Sequence, residues 1–211
     1  MKNPYKLNVS QYSTHRALLD AIGENKTVLD VGCNDGYIGK LADKSNTFYG
    51  LDYLPESVAL AKKVYADAIE YDLNDIKPLP WKQQFDVIIF ADVLEHILLP
   101  EPALKYFVDN YLKPDGVVVI SLPNIANWQV RWNLLWGNFD YVDGSGIMDK
   151  THLHLYTFKT ARELVEAGGL VVDKFSYGAS FFGPIIQASG GLLRNVLSTG
   201  IIMLCKKPKS S

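Results

Sequence analysis

Cysteine is scarce: the 211 residues hold two, Cys33 and Cys205, near opposite ends of the chain. So few thiols build neither a disulfide framework nor a thiolate metal cluster, and their use fits a reducing cytoplasm. An excess of one charge is also missing, with 21 Lys plus Arg against 23 Asp plus Glu and a net charge of −2. Without a basic surplus there is little to neutralise a phosphate backbone, which removes nucleic acid as the expected partner. Long apolar runs are absent too. The longest uncharged run, Phe175 to Leu193, is broken by Pro184, Gln187 and several glycines and serines. A membrane span needs about 20 predominantly apolar residues, so none is expected. Met1 to Tyr12 carries no apolar core of a signal peptide. No internal repeat or low-complexity tract occurs. What is present is an ordinary folded composition, 48% hydrophobic and 21% charged. The length suits one domain over residues 1–211, with no room for a separate substrate domain.

From about residue 26 strand-like and helix-like segments alternate. Short apolar runs predict strands at Thr27–Val31, Thr47–Leu51, Ala66–Tyr71, Phe85–Phe90 and Gly116–Leu122, the last preceded by the turn Lys113-Pro114-Asp115-Gly116. Helical patterns fall at Tyr37–Asp43, Glu56–Val64, Glu101–Leu112 and Thr157–Ala167, with further strands at Leu170–Tyr177 and Thr199–Lys206. Near-continuous apolar strands separated by helices predict an α/β, doubly wound, mostly parallel sheet covered on both faces.

The first strand runs through Asp30 into Gly32-Cys33-Asn34-Asp35-Gly36, a turn where missing Cβ atoms let a ligand approach the backbone. Asp52 closes the second strand at an offset where an acid accepts hydrogen bonds from both ribose hydroxyls of an adenosine cofactor. Asp30 sits at the mouth of the turn. A dinucleotide would bring its pyrophosphate there and be repelled, whereas S-adenosylmethionine brings a sulfonium and an ammonium and is attracted. The glycine spacing (32, 36, 39) also departs from Gly-x-Gly-x-x-Gly.

In these features the chain resembles the class I S-adenosylmethionine-dependent methyltransferases over about residues 26–177. Asp30 to Gly36 resembles the family's first motif and Asp52 its ribose-binding acid. Asp72-Leu73 stands where the family contacts adenine. Phe85-Asp86-Val87-Ile88 through Asp92-Val93-Leu94-Glu95-His96 resembles its fourth-strand motif, and Leu112 to Gly116 its approach to strand five. The resemblance implies S-adenosylmethionine as cofactor, held by Asp30, Gly32, Cys33, Asn34, Gly36, Asp52, Tyr53, Asp72, Leu73 and Ala91. It also implies a seven-stranded Rossmann-like sheet with Thr199–Lys206 antiparallel between strand five and Leu170–Tyr177. The family commonly has Gly where Asn34 stands; Asn tolerates left-handed angles, so the turn survives and cofactor affinity is the property at stake.

Methyl transfer from a sulfonium is an in-line displacement that needs alignment, exclusion of water and, for a hydroxyl acceptor, a base. Acceptors of open α/β sheets bind outside the carboxyl ends of the strands. Helical spacing would put Asp92, Glu95 and His96 on one face. Three readings stay open there: a capping and hydrogen-bond role, a general base at His96, or a divalent metal. The last is what the resemblance of Asp-x-x-Glu-His to ubiquinone-pathway O-methyltransferases implies. After strand five, residues 123–156 form an insertion holding Asn124, Asn127, Trp128, Arg131, Trp132, Trp136, Phe139 and Tyr141. These aromatics either pack or offer ring faces to a sugar or aromatic acceptor. In an extended segment His152 and His154 point the same way, and His152 is a second candidate base. Asp149, Thr151, His152 and Leu153 resemble the Asp-x-Thr-His-Leu signature of bacterial polysaccharide and O-antigen methyltransferases. The same region also resembles the methionine-biosynthesis protein W family, which implies a cofactor-sensing partner as an alternative. The apolar stretch 181–197, within a crossover at about 178–198, reads as a helix on the sheet or as a surface for a lipid-linked substrate or second subunit. The expected activity is methylation of a small acceptor, foremost a sugar hydroxyl, with a quinone or other aromatic metabolite as the alternative.

Overall fold

A computed structural model describes residues 10–144, 146–179 and 181–208. The rest of the N-terminal stretch (1–9), Ser145, Ser180 and residues 209–211 lie outside the described residues.

The strands are β1 (Thr27–Val31), β2 (Thr47–Asp52), β3 (Asp67–Glu70), β4 (Phe85–Ala91), β5 (Leu112–Pro123), β6 (Val171–Gly178) and β7 (Gly200–Lys206). They form one sheet in the order β3-β2-β1-β4-β5-β7-β6. Only β7 runs antiparallel to its neighbours. The fold expectation holds, with β7 between β5 and β6. Successive residues of each strand point to opposite faces, so Val28 and Leu29, both fully buried, feed different cores. Under one face lie α1 (Thr14–Ile22), α2 (Tyr37–Leu41) and α3 (Pro55–Ala61), through Leu18, Ile22, Ile38, Val58 and Ala61. Under the other lie α4 (Pro100–Tyr111) and α6 (Phe158–Ala167), through Leu104, Phe107, Val108, Leu164 and Val165. Helix α1 has no counterpart among the segments expected above. Its signals are Ser13, whose side chain accepts from the Arg16 amide, the apolar pair Leu18 and Ile22, and Gly23 at φ +74°.

The expected turn Lys113–Gly116 is absorbed into β5: Phe85 pairs with Leu112 and Val87 with Val117, so these four residues loop out of the ladder. The C-terminal stretch is not a crossover. Strands β6 and β7 are antiparallel neighbours, so the chain returns to the same edge through two short helices, α7 (Gly183–Ala188) and α8 (Arg194–Leu197). Pro184 opens α7, and Gly190 and Gly191 at φ +62° and +85° separate the two. The insertion begins with α5 (Trp128–Leu135). Asn124 and Asn127, both wholly buried, tie its start to this C-terminal connection through the Ser198 carbonyl, at 3.0 and 2.8 Å. Trp128 meets Phe182 edge to face. Trp132, Trp136, Phe139 and Tyr141 are exposed and so belong to neither core.

Candidate active site

The turn after β1 is shaped by its backbone. Gly32 (φ +78°), Asn34 (φ +47°) and Gly36 (φ +76°) are left-handed, and Asn34 adopts the angles its residue type allows. The Asp52 carboxylate braces the turn, accepting from the Asn34 amide at 2.8 Å and the Leu54 amide at 3.0 Å. Cys33 is buried with its sulfur against Gly50, where a Cβ would lie 2.6 Å from Sγ, so only its backbone faces the turn. Gly39 makes room for the Tyr65 ring. Asp30 lies beneath the turn rather than on its surface. It is fully buried, receives the Tyr65 hydroxyl at 2.6 Å on one oxygen, and has no partner for the other among the described residues. Burial pushes its carboxyl up to about 7; the Tyr65 hydrogen bond opposes this and the Asp52 charge adds to it. Tyr53 is exposed beyond Asp52, and Ala91 is buried at the end of β4. Asp72 is exposed with its carboxylate on the Asn74 amide, and Leu73 packs partly on the core.

The turn after β4 touches the first turn directly: a Cβ on Gly32 would lie 2.3 Å from a Val93 methyl. Asp92 is left-handed (φ +53°) and only Leu94–His96 forms a 3-10 turn, so the single helical face expected for Asp92, Glu95 and His96 does not form. Ser121 on β5 draws the Asp92 carboxylate aside with a hydrogen bond of 2.8 Å. The three residues nonetheless line one cavity of about 190 Å³, outside the carboxyl ends of β4 and β5, together with Thr14, Asp149 and His152.

The insertion forms one wall of this cavity through Gly146, Ile147, Asp149 and His152. Asp149 accepts from both the amide and the hydroxyl of Thr151, at 2.8 and 2.7 Å. Thr151 in turn receives Nδ1 of His96 on its carbonyl and hydroxyl oxygens, at 3.2 and 3.1 Å. Nδ1 of His152 donates to the Ile147 carbonyl at 3.2 Å. The amides of Leu153 and His154 both bond the Glu95 carbonyl. His154 turns away to the Ile97 carbonyl, at 3.1 Å from Nε2, so the two histidines do not share a direction. Burial, then the neighbouring His96, depresses the His152 pKa. Glu95 is held well above the usual carboxylate range by burial and by the charges of Asp92 and Asp149. Burial also raises Asp92, against the Ser121 hydrogen bond. Asp149 and Thr151, both within the quoted signature, thus hold the His96 ring, a pairing that no spacing in the sequence indicates.

Residues 10–174 match the family model described as a methyltransferase domain. The chain belongs to that family. By family and fold it is a class I S-adenosylmethionine-dependent methyltransferase, and S-adenosylmethionine is the cofactor. Among curated proteins, the ubiquinone biosynthesis O-methyltransferase of Idiomarina loihiensis is 26% identical over 195 residues, covering 88% of this chain and 76% of that protein. That of Bradyrhizobium diazoefficiens is 31% identical over 107 residues, covering 48% of this chain and 41% of the relative. The match thus spans less than half of some curated relatives. Among solved structures, the 1,6-didemethyltoxoflavin-N1-methyltransferase of Burkholderia thailandensis, bound to its substrate and S-adenosylhomocysteine, superposes with a TM-score of 0.62 at 16% identity, covering 96% of this chain and 80% of that one. A methyltransferase from Mesorhizobium loti gives 0.60 at 17%, covering 92% and 95%. Among the described residues no helix is long and apolar enough to cross a membrane.

Proposed function

We propose that this methyltransferase methylates a hydroxyl of a phenolic or quinone-type small molecule. The observation that carries the reading is the cavity walled by Asp92, Glu95, His96 and His152 beside the first turn. Its volume of about 190 Å³ suits one aromatic ring, since a cavity of about 150 Å³ accepts benzene. The relatives named as ubiquinone biosynthesis O-methyltransferases favour an aromatic acceptor over the sugar that the Asp-x-Thr-His-Leu signature brought forward.

In this reading Asp52 takes the ribose, the Gly32–Gly36 backbone the methionine portion, and Asp30 supplies a negative field beneath the sulfonium. A ring hydroxyl enters the cavity with its oxygen in line with the methyl group. His96 and His152 promote loss of its proton, and Asp149 holds His96 in place through Thr151. The insertion walls the cavity and limits water there, which favours alignment of the acceptor oxygen for the in-line displacement.

The test is turnover of S-adenosylmethionine to S-adenosylhomocysteine with a panel of catechols, hydroquinones and nucleotide sugars. The reading expects methylated phenols. Methylation of the nucleotide sugars alone would overturn it, as would cofactor binding without turnover on any acceptor of the panel.

A further inference from the structure

Tyr65, in the stretch between α3 and β3, is buried beneath the first turn, and three glycines make way for its ring. A Cβ on Gly39 of α2 would lie 2.4 Å from its Cε1, one on Gly50 of β2 2.9 Å from its Cδ2, and one on Gly36 of the turn 3.2 Å from its Cε1. Phe48 stacks on it with ring centroids 5.1 Å apart. A smaller apolar side chain would fill such a core without clearance on three elements, so the ring is there for what it carries. It carries a hydroxyl that donates to one Asp30 oxygen at 2.6 Å and accepts from the Gly39 amide at 3.3 Å. Burial, then the Asp30 charge, holds this phenol well above its usual range, so it remains a donor. The other Asp30 oxygen is buried without a partner, and no cation among the described residues bonds the carboxylate. Burying a carboxylate is costly unless a cation or a donor meets it. An orphaned oxygen beneath the turn therefore fits a cationic ligand.

We propose that Tyr65 is a positioning residue for the cofactor, its hydroxyl holding one oxygen of Asp30 so that the other is left to the sulfonium of S-adenosylmethionine. The inference rests on the reading that sets Asp30 beneath the sulfonium, and not on the acceptor. Through Asp30, Tyr65 separates substrate from product: S-adenosylmethionine is attracted, and S-adenosylhomocysteine, which has lost the positive sulfur, is held less tightly. The same hydroxyl ties Gly39 at α2 to the end of β1, so carboxylate and turn are held as a unit. Asp52 on β2 and Cys33 in the turn also face Asp30; the Asp52 charge opposes its ionisation, and burial keeps the Cys33 thiol protonated. Asp35, farther along the turn, is paired with Lys40 at 2.9 Å. Against burial and these acids, the Tyr65 hydrogen bond is what favours the ionised carboxylate.

The experiment is calorimetry of the full chain with S-adenosylmethionine and with S-adenosylhomocysteine, from pH 6 to pH 9 and without acceptor, so its outcome is independent of the acceptor panel. Tyr65→Phe keeps the ring and removes the hydroxyl. With that hydrogen bond gone, Asp30 keeps its proton to a pH about one unit higher. Near pH 7 the variant is expected to bind S-adenosylmethionine about fivefold more weakly than the parent, and S-adenosylhomocysteine within about twofold. By pH 9 the loss for S-adenosylmethionine should shrink to within about twofold, as Asp30 ionises in both chains. A ring that only fills space would weaken both ligands alike at every pH, and that result overturns the proposal. A preference for S-adenosylmethionine that falls in Asp30→Asn but holds in Tyr65→Phe overturns the role of Tyr65 alone. A preference unchanged in both variants removes Asp30 from the sulfonium, and the role of Tyr65 with it. Where Tyr65→Phe does not fold, Gly39→Ala takes its place: its Cβ crowds the ring off Asp30, which should lower the preference near pH 7 in the same direction. A preference unchanged in Gly39→Ala overturns the proposal.

Discussion

Around the first turn and around the acceptor cavity the same fold treats its polar groups in opposite ways. At the turn, both oxygens of Asp52 are engaged by amides of adjacent loops, and Tyr65 takes one oxygen of Asp30. At the cavity, the Glu95 carboxylate has no partner among the described residues, and the imidazoles are tied back through Nδ1. The turn is braced against itself before any ligand arrives. The cavity is assembled from β4, β5 and an insertion, and its unmet groups are the ones left to meet an acceptor. A constant ligand permits a site closed on its own backbone, while a variable ligand requires side chains held open by a second layer.

The largest test of this contrast falls on Asp30, the fully buried carboxyl beneath the turn, one of whose oxygens has no partner among the described residues. Its carboxyl is raised from 3.8 to about 7 by burial. Between those values the unfolded chain has lost the proton and the folded chain has kept it, so Asp30 lowers stability as pH rises through the window and not further above it. The stability gap between Asp30→Asn and the parent should therefore grow from pH 4 to pH 7 by up to about 4 kcal/mol, read by denaturant titration at each pH. The same variant should weaken S-adenosylmethionine more than S-adenosylhomocysteine, because only the former carries the sulfonium. A gap that is flat with pH would mean that Asp30 ionises freely, and the turn would then have no strained member.

Gly32 is where the two regions meet. Gly32→Ala adds a Cβ at φ +78° and 2.3 Å from a Val93 methyl, which should cost about 3 kcal/mol in thermal or denaturant stability. Adding Val93→Ala should recover the clash, about 1 kcal/mol, and leave the backbone strain. No recovery in the double variant would show that the two turns are not in contact. Next in size, Asp52→Ala should weaken S-adenosylmethionine and S-adenosylhomocysteine alike by about 100-fold in calorimetry, since both carry the ribose. Unequal losses would move Asp52 away from the ribose.

The turn was legible because its parts are close in sequence or spaced by strand length: β1, the glycines, then Asp52 at the end of β2. The inner parallel strands β1, β4 and β5 were legible for a related reason, as parallel strands buried on both faces read as unbroken apolar runs. The cavity was not. Its partners His96 and Thr151 lie 55 residues apart, and no local pattern pairs them. Helical spacing grouped Asp92 with Glu95 and His96, but one left-handed residue and a serine on β5 redirected it. Extended spacing aligned His152 with His154, but the backbone of Leu153 and His154 bends to reach the Glu95 carbonyl. Helix α1 was legible in retrospect from Ser13 and Gly23, a cap at each end of a short amphipathic run.

Within the insertion the contrast repeats on a smaller scale, and the smallest effects decide it. Residues 146–156 are pinned to the turn after β4, His154 through the Ile97 carbonyl at 3.1 Å, so His154→Ala should cost about 1 kcal/mol. Trp132 and Trp136 on the outer half are 56% and 67% exposed and meet each other edge to face. A large ring removed from water would be worth several kcal/mol to the fold, but these rings stay largely wet. Trp132→Ser and Trp136→Ser should therefore each change stability by no more than about 0.5 kcal/mol. If either destabilises the chain as strongly as His154→Ala, the outer half belongs to the docked layer that holds the cavity open, and the boundary between the braced and the open parts of the insertion lies further out than Gly146.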